Sequence, residues 1–314
     1  MEKRHKCCYI GFKTLIVCCI GRVKQSTIDT LRDLWTDRKP VDPMVHDKML
    51  QLVRLYLVVG GMPAAVAKYI ETNNLQQVLS QQIDIVNLYR RDISKYAETD
   101  KLKIKEIFDL IPSELDAKNK RFILKSLNEH AKFDRYKDSF LWLKDAGVSL
   151  PVYNVEELRI PLKLAECRNL FKLFANDVGL LASQFADGIQ LRILSGDSNI
   201  NFGSIYENFV AQELAAHGFD TYYNSKRFGE LDFVIVVDGK IMPIEVKSGK
   251  DYERHRALDN VLERDLPDVG DALVLSNANL SVAGRVTYIP IYMLMFVKRE
   301  NRLPTHYAID LTGL

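Results

Sequence analysis

The sequence lacks a strong excess of either charge. Its 43 Lys and Arg residues are nearly balanced by 41 Asp and Glu residues, which leaves a formal net charge of +2. Proteins that attract nucleic acid over a whole face carry a much larger positive charge. The composition therefore excludes a uniformly basic molecule, and any basic binding surface must be local.

Cysteine is scarce and poorly spaced for a metal site. Four of the five cysteines form two adjacent pairs, Cys7-Cys8 and Cys18-Cys19, and Cys167 lies far from them. Zinc ligands are commonly separated by about two to four residues, and the sequence has neither this spacing nor a neighbouring histidine partner. The pattern favours reduced thiols in a cytoplasmic protein over zinc ligands or disulfides.

Long hydrophobic runs are also missing. The apolar stretch CCYIGFKTLIVCCIG (residues 7–21) follows a basic start and is interrupted by Lys13. It is too short to cross a bilayer as a helix, and no small-residue cleavage site follows it. We expect a buried strand or a poorly ordered remnant there, and no membrane partner.

The length favours two domains, because single hydrophobic cores rarely grow beyond about 250 to 300 residues. Residues 1–45 show no sustained helical period and are interpreted as an N-terminal remnant or extension. Residues 46–165 carry helical periods, and residues 166–314 alternate strands with helices. This order predicts an α/β protein, with a helical domain followed by a mixed-sheet domain and a boundary near residue 165.

Helical spacing of apolar residues predicts the organisation of the first of these domains. Helices are predicted over residues 46–70, 75–97 and 104–111, in KNKRFILKSL (118–127), and between Phe133 and Gly147. The sequence VSLPVYNVEELRIPLKL then indicates a strand pair. Three short helices followed by a hairpin are the plan of a winged-helix domain, and a helical bundle with a β-arm is the alternative.

The stretch ELDFVIVVDGKIMPIEVKSG (230–249) places three charges inside sequence typical of buried strands. Charged residues are rarely buried unless they are paired or hold a metal. The dipeptide Asp238-Gly239 is a strong signal for a two-residue turn, so residues 231–237 and 240–247 are predicted to form an antiparallel hairpin. Counting outward from that turn places Asp232 opposite Glu245, with Lys247 on the same face.

Two facing carboxylates repel each other, and a divalent cation would remove the conflict. Mg²⁺ (or Mn²⁺) bound by Asp232 and Glu245 would keep part of its hydration shell and could activate water against a phosphate. Lys247 would then orient that water or stabilise the charged phosphorane. The alternative is a simple ion pair between Glu230 and Lys247 across the hairpin, and spacing alone leaves both interpretations open.

The same stretch resembles the core signature of the PD-(D/E)xK nuclease superfamily. Asp232 matches its first acidic residue, and Glu245-Val246-Lys247 matches its E-x-K motif. The resemblance implies a restriction-endonuclease-like mixed-sheet fold, catalytic roles for Asp232, Glu245 and Lys247, and metal binding by the two carboxylates. Glu207, on the predicted helix SIYENFVAQELAAHG, matches an auxiliary catalytic acid, although Ser204 and Glu207 also form an S-x-x-E capping box.

Five stretches follow one another along the chain: YLVVGGMPAAV, YRRDISKYA, KLFANDVGLL, IYENFVAQEL and the nuclease-like signature. In this order, from about residue 50 to 297, the chain resembles the C-terminal half of a family of bacterial AAA-type ATPases with a C-terminal domain of unknown function. The family implies a winged-helix segment followed by the nuclease-like fold.

The sequence departs from this family in its nucleotide-binding part. It contains no G-x-x-x-x-G-K-[ST] loop, and in the nearest fragment, Gly11-Phe12-Lys13-Thr14, Phe12 replaces the glycine that lets the backbone approach a phosphate. We expect a truncated or degenerate member that has no ATP site and does not hydrolyse ATP alone.

Two classes of function follow from the sequence. The first is a Mg-dependent phosphodiesterase that cleaves DNA or RNA, with Lys250, Arg254, His255 and Arg256 meeting phosphates beside the site. These basic residues are alternatively a solvated helix face balanced by acidic neighbours. The second is a non-catalytic module, or an inert remnant, that binds nucleic acid, a separate ATPase or another protein. Histidines are scattered, and no Ser-His-Asp or Cys-His arrangement emerges.

Overall fold

The computed structural model describes residues 10–19, 21, 23–96, 100–117, 120–185, 188–197, 203–225 and 229–299. The predicted thiols Cys7 and Cys8 lie outside the described residues, and so do the side chains of Cys18 and Cys19. Cys167 is a half-buried thiol.

The described helices are concentrated in the first two-thirds of the chain, and one, α11, lies beyond it. They are α1 (Phe12–Thr14), which continues as a π-helical turn (Leu15–Cys19), α2 (Gln25–Asp37), α3 (Pro43–Val59), α4 (Pro63–Thr72), α5 (Leu75–Tyr96), α6 (Lys101–Asp116), α7 (Lys137–Asp145), α8 (Val178–Ala182), α9 (Ile189–Ser195), α10 (Gly203–Ala216) and α11 (Arg256–Leu262). No single described helix is long and apolar enough to cross a bilayer; α3 and α4 reach that length and composition only as a pair, bent by 118°.

One mixed sheet organises the rest of the molecule. Its strands are β1 (Ser149–Val155), β2 (Glu166–Ala175), β3 (Tyr222–Asn224), β4 (Leu231–Val237), β5 (Lys240–Val246), β6 (Ala272–Ser276), β7 (Ser281–Ala283) and β8 (Val286–Pro290). The eight strands lie in the order β2-β1-β3-β4-β5-β6-β8-β7. The pairs β1–β3, β5–β6 and β6–β8 are parallel and the others antiparallel. The predicted α/β class, with helices followed by a mixed sheet, is confirmed at this level.

The N-terminal segment is helical, so the predicted buried strand is wrong. Phe12, Leu15 and Ile16 are fully buried, and their i, i+3, i+4 spacing places them on one face of a helical turn. The ring of Phe12 packs edge-on against Tyr56 and Phe209, at centroid distances of 5.6 and 6.1 Å. The apolar run near the start is therefore part of the main core.

The helix predicted at 118–127 is also wrong. Within this stretch the described residues contain only a single 3₁₀ turn, Leu124–Ser126. The backbone instead bonds to its surroundings: Phe122 N–H donates to the carbonyl of Phe171 (3.0 Å), and Ile123 N–H donates to the carboxylate of Glu114 (2.7 Å). These tertiary hydrogen bonds hold the segment extended beside β2.

The strands around residue 165 belong to the same sheet. Strand β1 pairs with β2 on one side and with β3 on the other. One buried hydrophobic cluster also extends across this point, from Phe12 to Val297. The described residues on both sides of position 165 therefore share one sheet and one core. The division into domains stays a prediction.

The hairpin of β4 and β5 has the predicted register, and its limits agree with the prediction except that β5 ends at Val246, one residue early. Val237 pairs with Lys240, and Phe233 pairs with Ile244. Asp238 and Gly239 have φ values of 49° and 71°, the left-handed conformations that a type I′ turn requires at both central positions. The turn dipeptide fixes the register, and the next position outward places Asp232 beside the end of β5.

Three of the family-like stretches meet in a buried polar network. Gly61 N–H donates to Asp177 (2.6 Å), and Gln212 bonds both Val178 N–H (2.7 Å) and the hydroxyl of Tyr56 (2.9 Å). A side chain on Gly60 would overlap Asp177, since a Cβ there would lie 2.2 Å from its Oδ1. Hydrogen bonds among the motifs GGMP, NDVG and ENFVAQE thus hold α3, α8 and α10 together.

Candidate functional site

The residues predicted to form the site come together at one end of β4 and β5. The carboxylate of Asp232 accepts a hydrogen bond from the backbone N–H of Val246 (2.9 Å). The ammonium of Lys247, which directly follows β5, donates to Glu245 Oε1 (2.8 Å). Glu207 reaches the same place from α10, and its charge acts on both Asp232 and Glu245.

Lys172 lies at the centre of this site. Its side chain is fully buried, and Nζ lies 2.9 Å from Glu230 Oε1, 3.3 Å from Glu207 Oε2 and 3.7 Å from Asp232 Oδ1. Lys172 is not among the residues predicted from the sequence. The signal was the same one that marked the hairpin, because Lys172 interrupts the apolar strand LFKLF.

Two further cations close the outer side of the site. Lys120 forms an ion pair with Glu207 Oε1, and Arg121 Nη2 lies 3.2 Å from Glu230 Oε2. Glu230 therefore pairs with Lys172 and Arg121, while Lys247 pairs with Glu245. The alternative of a Glu230–Lys247 ion pair is wrong.

The charges of the site balance. We call Glu207, Glu230, Asp232 and Glu245 the carboxylate cluster. Each of its four members interacts with at least one of four cations: Lys120, Arg121, Lys172 and Lys247. The charged residues lie among apolar ones in this structure because they pair with one another.

Asp232 and Glu245 nevertheless resist ionisation. Burial raises the pKa of Asp232 well above its usual range, and the charges of Glu207 and Glu245 raise it further. Burial also raises the pKa of Glu245, although Lys247 opposes this effect. A carboxyl whose ionised form is disfavoured is stabilised by an additional cation.

Glu207, Lys172 and Lys247 are held in their charged forms. Burial alone would raise the pKa of Glu207, but Lys172 and Lys120 lower it below its ordinary value. Burial alone would lower the pKa of Lys172 and of Lys247, yet the surrounding carboxylates raise both. Both lysines are therefore permanent cations at neutral pH.

The donor set fits one hydrated divalent cation. Glu245 is 8% exposed, and its Oε2 atom is buried with no hydrogen-bond partner among the described residues. The described residues contain no group of three or more His, Cys, Asp or Glu side chains arranged to hold a metal. Asp232 and Glu245 offer two carboxylates, and Mg²⁺ commonly binds proteins through one or two carboxylates while it retains several waters.

The capping box predicted between Ser204 and Glu207 does not form. Ser204 lies inside α10, and its hydroxyl has no hydrogen-bond partner among the described residues. The Glu207 carboxylate bonds Lys120 and Lys172. Because the capping box does not form, Glu207 belongs to the carboxylate cluster.

His255 lies inside the protein rather than at a phosphate-facing surface. Its Nε2 lies 2.8 Å from the Tyr288 hydroxyl, and its Nδ1 lies 2.9 Å from Asp259 Oδ1. The neighbouring Lys250, Arg254 and Arg256 are exposed. The predicted basic surface therefore consists of these three residues, while His255 fixes the start of α11 against β8.

Two family models match the chain, and each describes a domain of unknown function. Residues 50–190 match Domain of unknown function (DUF8612), and residues 202–294 match Domain of unknown function (DUF4143). The second domain is typically linked to AAA ATPase-associated proteins. The first match contains Lys172, and the second contains the carboxylate cluster.

No curated protein matches the chain. Among solved structures, the crystal structure of protein VC1899 from Vibrio cholerae is similar at 12% sequence identity, with a TM-score of 0.21, over 69% of this chain and 54% of that chain. The chain thus spans about half the length of that protein. A likeness at this level carries no argument about the fold.

Proposed function

We propose that this protein is a metal-dependent nuclease-like phosphodiesterase whose metal is held by Asp232 and Glu245. The observation that carries the proposal is the buried Glu245 Oε2 atom, which lacks a hydrogen-bond partner among the described residues and belongs to the same carboxylate cluster as Asp232. A buried charged oxygen without a partner is costly, and a cation offsets that cost.

The order of elements supports the fold that goes with this activity. From α10 to β6 the chain runs helix, three strands, helix, strand, and Asp232 and Glu245 lie on the second and third of these strands. We propose that this part has the PD-(D/E)xK arrangement. The winged-helix assignment of the preceding helices stays a prediction. Strands β1 and β2, which follow those helices, extend the main sheet.

The chain's own residues have distinct roles in the proposed reaction. When bound, a divalent cation supplies a more acidic water and neutralises charge on the phosphate. Lys247 is partly exposed at 26%, so its ammonium is available to the phosphate while Glu245 holds it in position. Its raised pKa makes it a charge stabiliser rather than a proton acceptor.

Substrate would approach over the segment that follows β5. Lys250, Arg254 and Arg256 are exposed there, and basic side chains near a cleavage site attract the phosphate backbone without reading its sequence. Asp251 and Glu253 are exposed in the same segment. The attraction is therefore modest and sensitive to salt.

A cleavage assay tests this proposal. The protein is incubated with supercoiled plasmid, single-stranded DNA and RNA, with Mg²⁺, with Mn²⁺ or with EDTA. We expect metal-dependent cleavage by the wild type, and none by Asp232→Asn or Glu245→Gln prepared in the same way. Equal cleavage by all three proteins would assign the activity to a contaminant and contradict the proposal.

The charge balance of the site favours a second candidate function. Because the chain's own cations pair with every member of the carboxylate cluster, the domain can serve without a metal as a binding module for nucleic acid or for a protein partner such as an ATPase. In that case the wild type and Glu245→Gln bind labelled DNA or RNA equally, and neither cleaves it.

A further inference from the structure

Lys172 is surrounded as a bound cation would be. Three carboxylates, from Glu207, Glu230 and Asp232, lie within 3.7 Å of its Nζ atom, and the side chain has no exposed surface. Metal ions in two-metal phosphodiesterase sites are bridged by carboxylates in a comparable way, about 3.5 to 4 Å apart.

The carboxylate oxygens divide into two sets. Both oxygens of Glu207 are occupied, Oε1 by Lys120 and Oε2 by Lys172. Both oxygens of Glu230 are occupied as well, Oε1 by Lys172 and Oε2 by Arg121. Only Asp232 and Glu245 retain oxygen atoms that are not committed to a direct hydrogen bond with a cation.

We propose that Lys172 is a built-in substitute for a second metal ion, so that the site takes one divalent cation per chain and not two. This inference rests on the proposed metal site of Asp232 and Glu245. Lys172 acts as a positioning residue: its ammonium holds Glu207 and Glu230 away from the metal, and it lies 3.7 Å from Asp232 Oδ1, beyond hydrogen-bond distance.

The position of Lys172 in the fold makes its ammonium difficult for a metal ion to displace. Residues on both sides of it in β2, Phe171 and Leu173, are buried in the main core, and the Lys172 ammonium also lies 5.3 Å from the centre of the Tyr223 ring. An ammonium held by three carboxylates and an aromatic face is not displaced without exposing unpaired buried charges.

Counting bound Mn²⁺ tests the inference independently of catalysis. Equilibrium dialysis and electron paramagnetic resonance of the full chain give the number of ions per chain and show whether two ions are magnetically coupled. We expect one uncoupled Mn²⁺ in the wild type. Lys172→Met removes the charge at similar volume and should bind two, because Glu207 and Glu230 then become available.

The control variants separate this effect from general charge. Lys48→Met removes an exposed lysine from α3 and should leave the count at one. The double substitution Lys172→Met with Glu207→Gln removes a ligand of the new site and should return the count to one. Circular dichroism confirms that each variant is folded, and the wild-type count remains decisive if Lys172→Met does not fold.

The possible results lead to different conclusions. Two ions in the wild type, or one ion in folded Lys172→Met, overturn this inference and leave the proposed metal site intact. No ion in the wild type overturns the proposed metal site, and this inference falls with it.

Discussion

Lys172 on β2 and Glu207 on α10 form a buried ion pair at 3.3 Å, although they are 35 residues apart in the chain. Each is at most 2% exposed. The pair joins an outer strand of the sheet to α10, and it places a positive charge inside the carboxylate cluster.

Removing the Lys172 charge should destabilise the protein. Lys172→Met leaves the buried Glu207 with only Lys120 as partner and the half-buried Glu230 with only Arg121. Breaking one side of a buried ion pair commonly costs about 3 to 5 kcal/mol. We expect a loss of about 3 kcal/mol in the free energy of unfolding, measured by urea denaturation. The matched change Lys48→Met, on the surface, should stay within about 0.5 kcal/mol. Similar values for the two variants would show that the pairing contributes little.

Asp232→Asn should stabilise the metal-free protein and abolish its response to metal. Because the folded-state pKa of Asp232 is raised, its ionisation lowers the free energy of unfolding as pH rises through that pKa. We therefore expect Asp232→Asn to unfold at a higher urea concentration than the wild type at pH 8, with a smaller difference at lower pH. Mn²⁺ should raise the melting temperature of the wild type, less so at lower pH, and should not shift Asp232→Asn. An equal Mn²⁺ shift in both proteins would exclude Asp232 as a ligand.

The hairpin and the placement of Asp232, Glu245 and Lys247 could be predicted because they depend on local sequence. The turn Asp238-Gly239 specifies its own backbone conformation, and the register then follows by counting. Lys172 could not be placed in the same way, because its partners Glu207 and Asp232 lie on other elements, far along the chain. A charge inside LFKLF showed that a partner exists, but not which carboxylate it is.

The wrong helix at 118–127 has a related cause. Its apolar spacing fits a helix, but local preference is weak compared with tertiary hydrogen bonds to Phe171 and Glu114. The failed capping box of Ser204 and Glu207 shows the same competition, since two lysines bind the Glu207 side chain more strongly than a helix end does. In both places, contacts with other elements of the fold outweigh the local preference.

Glu213 should make the stability of the protein depend on pH. Its side chain is buried on α10, accepts a hydrogen bond from Phe12 N–H (3.1 Å) and lies 3.3 Å from the Tyr56 hydroxyl, and burial raises its pKa to about 7. Between the unfolded value near 4.5 and about 7 the folded state binds more protons, so the free energy of unfolding falls as pH rises.

Glu213→Gln should therefore be more stable than the wild type at pH 8, by about 1 to 3 kcal/mol, with a smaller difference at pH 5. Urea denaturation at the two pH values measures this. Glu71→Gln, on the exposed surface of α4, is the control and should follow the wild type at both. A Glu213→Gln variant that parallels the wild type across this range would contradict the assignment.

Gly60 should tolerate no side chain. It has a φ of 72° and a ψ of −167°, a conformation that is essentially restricted to glycine, and a Cβ there would lie 2.2 Å from Asp177 Oδ1. We expect Gly60→Ala to lower the free energy of unfolding by about 3 kcal/mol or more. Gly239 also has a positive φ, of 71°, but a Cβ there would lie within 4 Å of no described atom. Gly239→Ala should therefore lower the free energy of unfolding by only about 1 kcal/mol. Equal losses would show that backbone strain alone, without the Asp177 contact, sets the cost.

Lys247 should act in cleavage as a fixed positive charge. Glu245 keeps its ammonium in place at 2.8 Å and, with Asp232 and Glu207, raises its pKa above the ordinary value. Lys247→Met should then slow cleavage by about 10² to 10³, the effect of removing one charge-stabilising group, while Mn²⁺ binding stays within a few-fold of the wild type. Lys247→Arg retains the charge and should recover part of the rate.

The pH profile separates this role from general-base catalysis. A lysine acting as a base must lose its proton, so the rate would rise toward the raised pKa of Lys247 and this rise would vanish in Lys247→Met. A lysine acting as a cation gives no such rise, and the wild type and Lys247→Arg should share one profile between pH 7 and 9. A rate that climbs steadily across this range only in the wild type would assign Lys247 as the base instead.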